Sequence, residues 1–162
     1  MEYQRIGKNG SKVKGKRAAG IMFTDGKKML LLKRSDEGDH PKTWSLPAGK
    51  SKEHESDIDT AVREVKEETG LSQIPGYRFD TLSFQNGHQK FTAFLYMVKE
   101  PFDINLSAEH SESKWVEFND LAGLPLHPSF RAELPDYLRK VRKKAQSFSE
   151  WASVMDAILL LS

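Results

Sequence analysis

Gly49-Lys50-Ser51-Lys52-Glu53-His54-Glu55-Ser56-Asp57-Ile58-Asp59-Thr60-Ala61-Val62-Arg63-Glu64-Val65-Lys66-Glu67-Glu68-Thr69-Gly70-Leu71 holds the best-marked helix of the chain. Ser56 is a good N-cap, and Asp59 three residues later completes a capping box ahead of the apolar positions. Gly70 suits the left-handed residue that closes a helix. The predicted helix is therefore Asp57 to Thr69. With Glu64 at zero and 100° per residue, Glu67 falls at about −60° and Glu68 at about +40°. Ile58, Ala61, Val62, Val65 and Thr69 occupy the neighbouring arc, which turns to the core. The three carboxylates thus border the buried side, where a cleft can form. Like charges one turn apart cost a helix about 0.2–0.5 kcal/mol per pair, and a divalent cation is the simplest offset. Magnesium prefers all-oxygen ligands and bridges readily to phosphates. Arg63, four residues before Glu67, can orient a carboxylate. Taken alone, Glu64, Glu67 and Glu68 at this spacing fit a solvated acidic face better than a site.

The full spacing changes that balance. The segment resembles the Nudix signature, Gly-x5-Glu-x7-Arg-Glu-U-x-Glu-Glu-x-Gly-U with U aliphatic, at Gly49, Glu55, Arg63, Glu64, Val65, Glu67, Glu68, Gly70 and Leu71. The seven fixed residues would match by chance about once in 10^8 starting positions at ordinary residue usage, which sets coincidence aside. A looser likeness runs from the Leu30-Leu31-Leu32-Lys33-Arg34 strand through Trp44-Ser45-Leu46-Pro47-Ala48-Gly49 to Lys114-Trp115-Val116. Ala48 departs from the second glycine that many relatives carry. The resemblance implies an α/β fold, an α/β/α sandwich with a mixed β-sheet and a loop–helix–loop catalytic element. It implies Glu64, Glu67 and Glu68 as metal ligands, helped by the Gly49 carbonyl, with Arg63 and Glu55 holding them in place. Some relatives use the glutamate matching Glu64 as base. Others use a glutamate in the loop before the late tryptophan strand, where Glu109 and Glu112 stand, and Glu112 is taken as a candidate metal ligand. The implied cofactor is Mg2+, with Mn2+ an alternative. The implied reaction is water attack on phosphorus in a nucleoside diphosphate linked to another group, such as a nucleoside triphosphate, ADP-ribose or a dinucleoside polyphosphate.

Outside the signature the residues speak less sharply. Lys33 and Arg34, at a strand end, fit phosphate binding and plain solubilising charge equally. Trp44 and Phe84 fit base stacking or the core. The histidines form no ligand-spaced pair, and His110 and His127 read as loop residues. No downstream marker selects one substrate.

The remaining chain frames this element. Its 162 residues suit one domain. The absence of cysteine excludes a disulfide framework, a thiolate zinc site and a cysteine nucleophile. Residues 1–15 read as a basic, flexible tail and 16–162 as a single domain with C-terminal helices. The basic N-terminal segment lacks the apolar region of a signal peptide, and no run is long enough to span a bilayer, so a soluble cytoplasmic protein with no membrane partner is expected. Residues 53–68 carry seven carboxylates against Arg63 and Lys66, between basic segments at 2–17 and 139–144. Such an arrangement suits a site that gathers cations and then a polyanion.

Strands are expected at 17–24 and 28–33 around Asp25-Gly26, at 44–47, at 77–84 and 90–99 around Asn86-Gly87, and at 115–118. Asn119 reads as the cap of a short helical turn. Residues 128–146 read as a helix broken near Pro135, and Ser149 as the cap of a last helix. Trp151, Val154, Met155, Ile158 and Leu159 share one face there, which suits core packing or a homodimer contact. The expected partner is a small nucleotide. Arg139, Lys140, Arg142, Lys143 and Lys144 also permit an RNA substrate, as in a cap-removing enzyme, although cations in a helix's last turns are what its dipole favours. A non-catalytic Nudix-fold binding module would lose helix carboxylates, and here none is lost.

Overall fold

A computed structural model of the chain describes residues 4–6 and 12–161. Two apolar runs in the first third build the centre of its sheet. Strand β3 (Lys16–Thr24) and strand β4 (Lys28–Arg34) are continuously apolar through their middles, residues 18–23 and 29–32, because both of their faces are covered there. Their side chains alternate strictly. Ala19, Ile21, Phe23, Leu30 and Leu32 enter one core, whereas Met22, Met29 and Leu31 enter the other. Helix α1 (Asp57–Thr69) covers the first face with Ala61 and Val65. Helix α2 (Pro128–Leu161) covers the second with Phe130, Tyr137 and Val141. The result is the expected sandwich of helices around a mixed sheet.

Ahead of these, β1 (Gln4–Ile6) and β2 (Lys12–Lys14) pair as an antiparallel ribbon within the segment expected as a tail; residues 1–3 and 7–11 lie outside the described residues. Strand β3 pairs antiparallel with β6 (Ala48–Lys50) and parallel with β8 (Gln89–Met97) along nine positions. β8 pairs in turn with β7 (Tyr77–Asn86). Strand β4 pairs with the two-residue β5 (Trp44–Ser45) and with β9 (His110–Glu117). Both expected turns form, with Gly26 at φ 97° and Gly87 at φ 61°.

Four expectations need correction. Strand β9 begins at His110 rather than at 115, because the backbone of its polar half continues the pairing along β4 without needing an apolar pattern. The short helical turn spans Phe118–Gly123, and the residue before it, Glu117, makes no side-chain capping bond, so Asn119 is not its cap. Pro135 does not break the last helix. The exposed ring removes one backbone donor, but Phe130 before it and Tyr137 and Val141 after it are pinned to the same core and hold the axis through. Ser149 therefore lies inside α2. The stripe beyond it is not core either: Val154, Ile158 and Leu159 are 57%, 53% and 67% exposed. Among the described residues no helix is long and apolar enough to cross a membrane.

Candidate active site

Helix α1 is held at both ends, and this places its carboxylates. Ser56 accepts from the Asp59 amide at 3.2 Å, and Gly70 at φ 72° returns its amide to Lys66. The buried Arg17 of β3 grips the start of the helix through the Asp57 carboxylate and the Glu55 carbonyl. At the far end Asn105 and Ser107 donate backbone amides to the carbonyls of Thr69 and Glu68, which the helix itself leaves open.

Between these anchors the signature residues divide into two groups. The first is a clamp. Arg63 meets Glu55 through two bonds, Nε to Oε2 at 2.8 Å and NH2 to Oε1 at 2.9 Å, and also reaches the Lys50 carbonyl. Glu55 accepts further from Lys52 N and Thr60 Oγ1. The Arg63 guanidinium, helped by these donors, holds the Glu55 carboxyl well below the usual range, and the bond to Glu55 raises Arg63 in turn. From this fixed position Arg63 NH1 touches Glu64 at 2.8 Å and Glu67 at 3.3 Å.

The second group is the wall. Glu64 lies against β6 so closely that a Cβ on Gly49 would sit 2.0 Å from its carboxyl carbon. The missing side chain of Gly49 leaves the carboxylate its place there. Burial pushes the Glu64 carboxyl up, with Arg63 opposing. Glu68 is 1% exposed. Its Oε1 accepts from Ala48 N at 3.2 Å, and its Oε2 is buried without a hydrogen-bond partner. Burial pushes this carboxyl up to about 9. Ala48 stands where a second glycine is common; its methyl fits because Gly20 faces it, and a Cβ there would lie 2.4 Å away.

A divalent cation fits this donor set. The ligands on offer are oxygens, one buried carboxylate oxygen lacks a hydrogen-bond partner, and a charge at Glu68 is costly in its buried place unless a cation offsets it. Glu67 is the outer member, with more than half of its side chain exposed. Three potential ligand atoms within 4.8 Å of one another occur elsewhere among the described residues, at Asp39, His40 and His127. There His127 Nδ1 accepts from Ser129 N and caps α2, so that ring serves the helix.

The other sequence candidates separate. Glu112 sits in β9 opposite Lys33 and pairs with it at 3.6 Å. Glu109 stands just before the strand, and its charge helps raise the Glu64 and Glu68 carboxyls, behind burial as the main cause. Arg34 donates to the Asp39 carbonyl, and Lys33 also lies 6.0 Å from the Trp44 ring centre. Trp44 itself is 5% exposed and part of the α2-side core, which leaves no open ring face for stacking; that expectation is corrected. Phe84 packs on Tyr137. His110, read as a loop residue, lies in β9 with its side chain mostly buried and Nε2 3.8 Å from Glu68. Burial lowers its pKa. No spacing in the sequence marks it; only the pairing of β9 with β4 brings it to the helix.

Comparison with known proteins agrees with this geometry. A candidate 8-oxo-dGTP diphosphatase of Mycobacterium tuberculosis is 33% identical over 126 residues, covering 71% of this chain and 58% of that protein. The mRNA-decapping protein g5R of an African swine fever virus isolate is 31% identical over 126 residues, covering 67% of this chain and 51% of the viral protein. The chain thus spans only about half to three fifths of these relatives' length. The crystal structure of the Mycobacterium smegmatis Nudix hydrolase RenU superposes with a TM-score of 0.67 over 90% of this chain and 95% of RenU, at 24% identity, which speaks for the fold. The family model described as NUDIX domain matches residues 14–140, and the chain belongs to that family.

Proposed function

We propose that the protein is a metal-dependent pyrophosphohydrolase that opens a phosphoanhydride bond in nucleoside diphosphate derivatives by water attack on phosphorus. The observation that carries this reading is the unpartnered, buried Oε2 of Glu68 beside Glu64 and the Gly49 cradle. Glu64, Glu67 and Glu68 would hold the cation, Mg2+ or Mn2+, with the Gly49 backbone alongside. When bound, the cation supplies Lewis acidity and neutralises charge on phosphate oxygens. The chain supplies the rest. Glu55 fixes Arg63, Arg63 fixes the Glu64 and Glu67 carboxylates, and Glu64 takes the proton of the attacking water. Lys33 and Arg34 are the proposed phosphate contacts at the sheet edge. The cytoplasm, where such nucleotides are made, is the proposed setting.

The two relatives described above point to different substrate classes. The mycobacterial one favours a nucleoside triphosphate with an oxidised base, and the viral one favours capped RNA. We favour the small nucleotide, since the basic run at 139–144 is placed on a helix whose early half packs on the core. A panel of nucleoside diphosphate derivatives and capped RNA, assayed with magnesium in heavy-oxygen water, tests the reading. Label on a phosphate product, lost with excess chelator, is expected. Turnover in chelator, or label on carbon, would overturn it. No turnover on any member would leave a binding module as the better reading, and preference for capped RNA with steep salt dependence would move the substrate to RNA.

A further inference from the structure

Past Val141, helix α2 outruns the sheet it lies on. Its apolar stripe runs on with one change of step. Phe130, Leu134, Tyr137 and Val141 follow one another at four, three and four residues and pack in the core. After a second step of four from Val141, Ala145, Phe148, Ala152 and Met155 take the alternation up again at three, four and three residues. This second set is exposed: Phe148 is 50% exposed and Met155 36%. Alternation by three and four is the seam that one helix presents to another. The Lys144 ammonium lies 4.8 Å over the Phe148 ring.

We propose that this seam pairs with the same seam of a second copy, with the two helices antiparallel and centred at Glu150. Side-chain size selects the partner and the direction. In that register Phe148 faces Ala152 of the second copy, and Met155 faces Ala145 of the second copy, each contact occurring twice by symmetry. Every layer then joins one large and one small residue, the condition for filling a helix interface without voids. A parallel pair would set Phe148 against Phe148 and Ala152 against Ala152, crowding one layer and emptying the next. Charge points the same way. Arg142 and Asp156 share the flank of the seam, both exposed, and the antiparallel register brings Arg142 of one copy to Asp156 of the other. Glu150, at the centre, falls on the outer face, so the two copies do not oppose like charges there. The contact from Ala145 to Met155 is about 15 Å long. It leaves α1 and its carboxylates, on the opposite face of the sheet, untouched.

Sedimentation of the full chain over a range of concentrations should show a monomer–dimer equilibrium, and a monomer at every concentration would overturn the proposal. The double variant Phe148→Glu, Met155→Glu should be monomeric with unchanged hydrolysis and thermal unfolding; dimerisation as tight as wild type would show that the seam is not the interface. Direction is read by cross-linking, because the chain contains no cysteine of its own. Mixed Phe148→Cys and Ala152→Cys chains should join as a heterodimer under mild oxidation. Efficient joining of Ala152→Cys to itself, without the mixed product, would overturn the antiparallel register.

Discussion

Helices α1 and α2 lie on opposite faces of one sheet, and they differ in how far the domain uses them. All of α1 is engaged: its start is gripped by Arg17, its end is closed by Asn105 and Ser107, and its apolar face is covered at Ala61 and Val65. Helix α2 is engaged only to Val141, after which its apolar stripe meets solvent. An apolar pattern therefore states that a face needs covering but not what covers it. The sharpest test truncates one aromatic side chain in each half of α2. Tyr137→Ala, at a residue with no exposed surface, should cost about 3–5 kcal/mol. Phe148→Ala should cost less than about 0.5 kcal/mol in dilute protein. Denaturant unfolding measures both. Equal costs would mean that the distal half is packed like the proximal one.

The next largest effect lies on α1. Glu64→Gln and Glu68→Gln should each lower kcat by at least about 100-fold, since several kcal/mol of charge stabilisation depends on them. Neither should unfold the chain. Glu68→Gln should stabilise the metal-free protein, because burial makes its charge costly. Glu55→Gln should behave in the opposite way, with a smaller loss of kcat and a lower melting temperature, because it leaves Arg63 half-buried with its fork unmatched. The check is kcat and thermal unfolding for the three variants, with and without magnesium. Near-wild-type kcat in both helix variants would reduce the acidic arc to a solvated face.

Local chemistry explains which parts were legible in the sequence. The bounds of α1 could be read because Ser56 and Gly70 act on their own neighbours. The shared arc of the three helix carboxylates followed from helical spacing, whereas the supporting role of Arg63 and Glu55 came from the resemblance to the Nudix signature. The parallel pairing of β3 with β8 could not be read, since it joins residues more than seventy positions apart through backbone bonds. The same holds for β9: its polar residues look like loop, and the bulge opposite Lys33 and Arg34 decides that His110, not Glu112, comes to the helix. Pro135 and Trp44 misled for a third reason, in that packing of the surrounding core outweighed each residue's own preference.

A smaller effect is expected where α1 meets β6. The Cβ of Gly49→Ala would overlap the Glu64 carboxylate, the far end of a flexible side chain, and not the backbone. Folding should therefore change by less than about 1 kcal/mol, while displacement of the carboxylate lowers kcat by about tenfold or more. Gly20→Ala is the contrast, since its Cβ would meet the Pro47 carbonyl and the Ala48 methyl, both at 2.4 Å. It should destabilise by about 1–3 kcal/mol. Steady-state kinetics beside thermal unfolding distinguishes the two. A Gly49→Ala protein with full activity would mean that Glu64 does not need its place against β6.

The smallest expected effect is a pH dependence in the buried half of α2. Glu133 accepts a hydrogen bond from the Tyr137 hydroxyl at 3.0 Å, and burial pushes its carboxyl up to about 7. In the unfolded chain an ordinary glutamate loses its proton near pH 4.5, so between about 4.5 and about 7 the folded protein holds a proton that the unfolded chain lacks. Its contribution to stability is therefore full below about 4.5, falls as pH rises through this window, and levels off above about 7. Glu55 runs the other way: its depressed pKa gives stability above the ordinary carboxylate range that is lost as pH falls through it. The total profile mixes both slopes, so the wild type alone cannot separate them. Glu133→Gln can, because glutamine still accepts from Tyr137 but does not titrate. Relative to wild type, the variant should gain melting temperature on going from about pH 5 to about pH 8. Glu133 is only half-buried, and solvent screening limits the gain to a few degrees. An equal difference between the two proteins at both pH values would mean that Glu133 ionises in the folded state as it does in the unfolded chain, and that the Tyr137 end of α2 carries no buried titrating group.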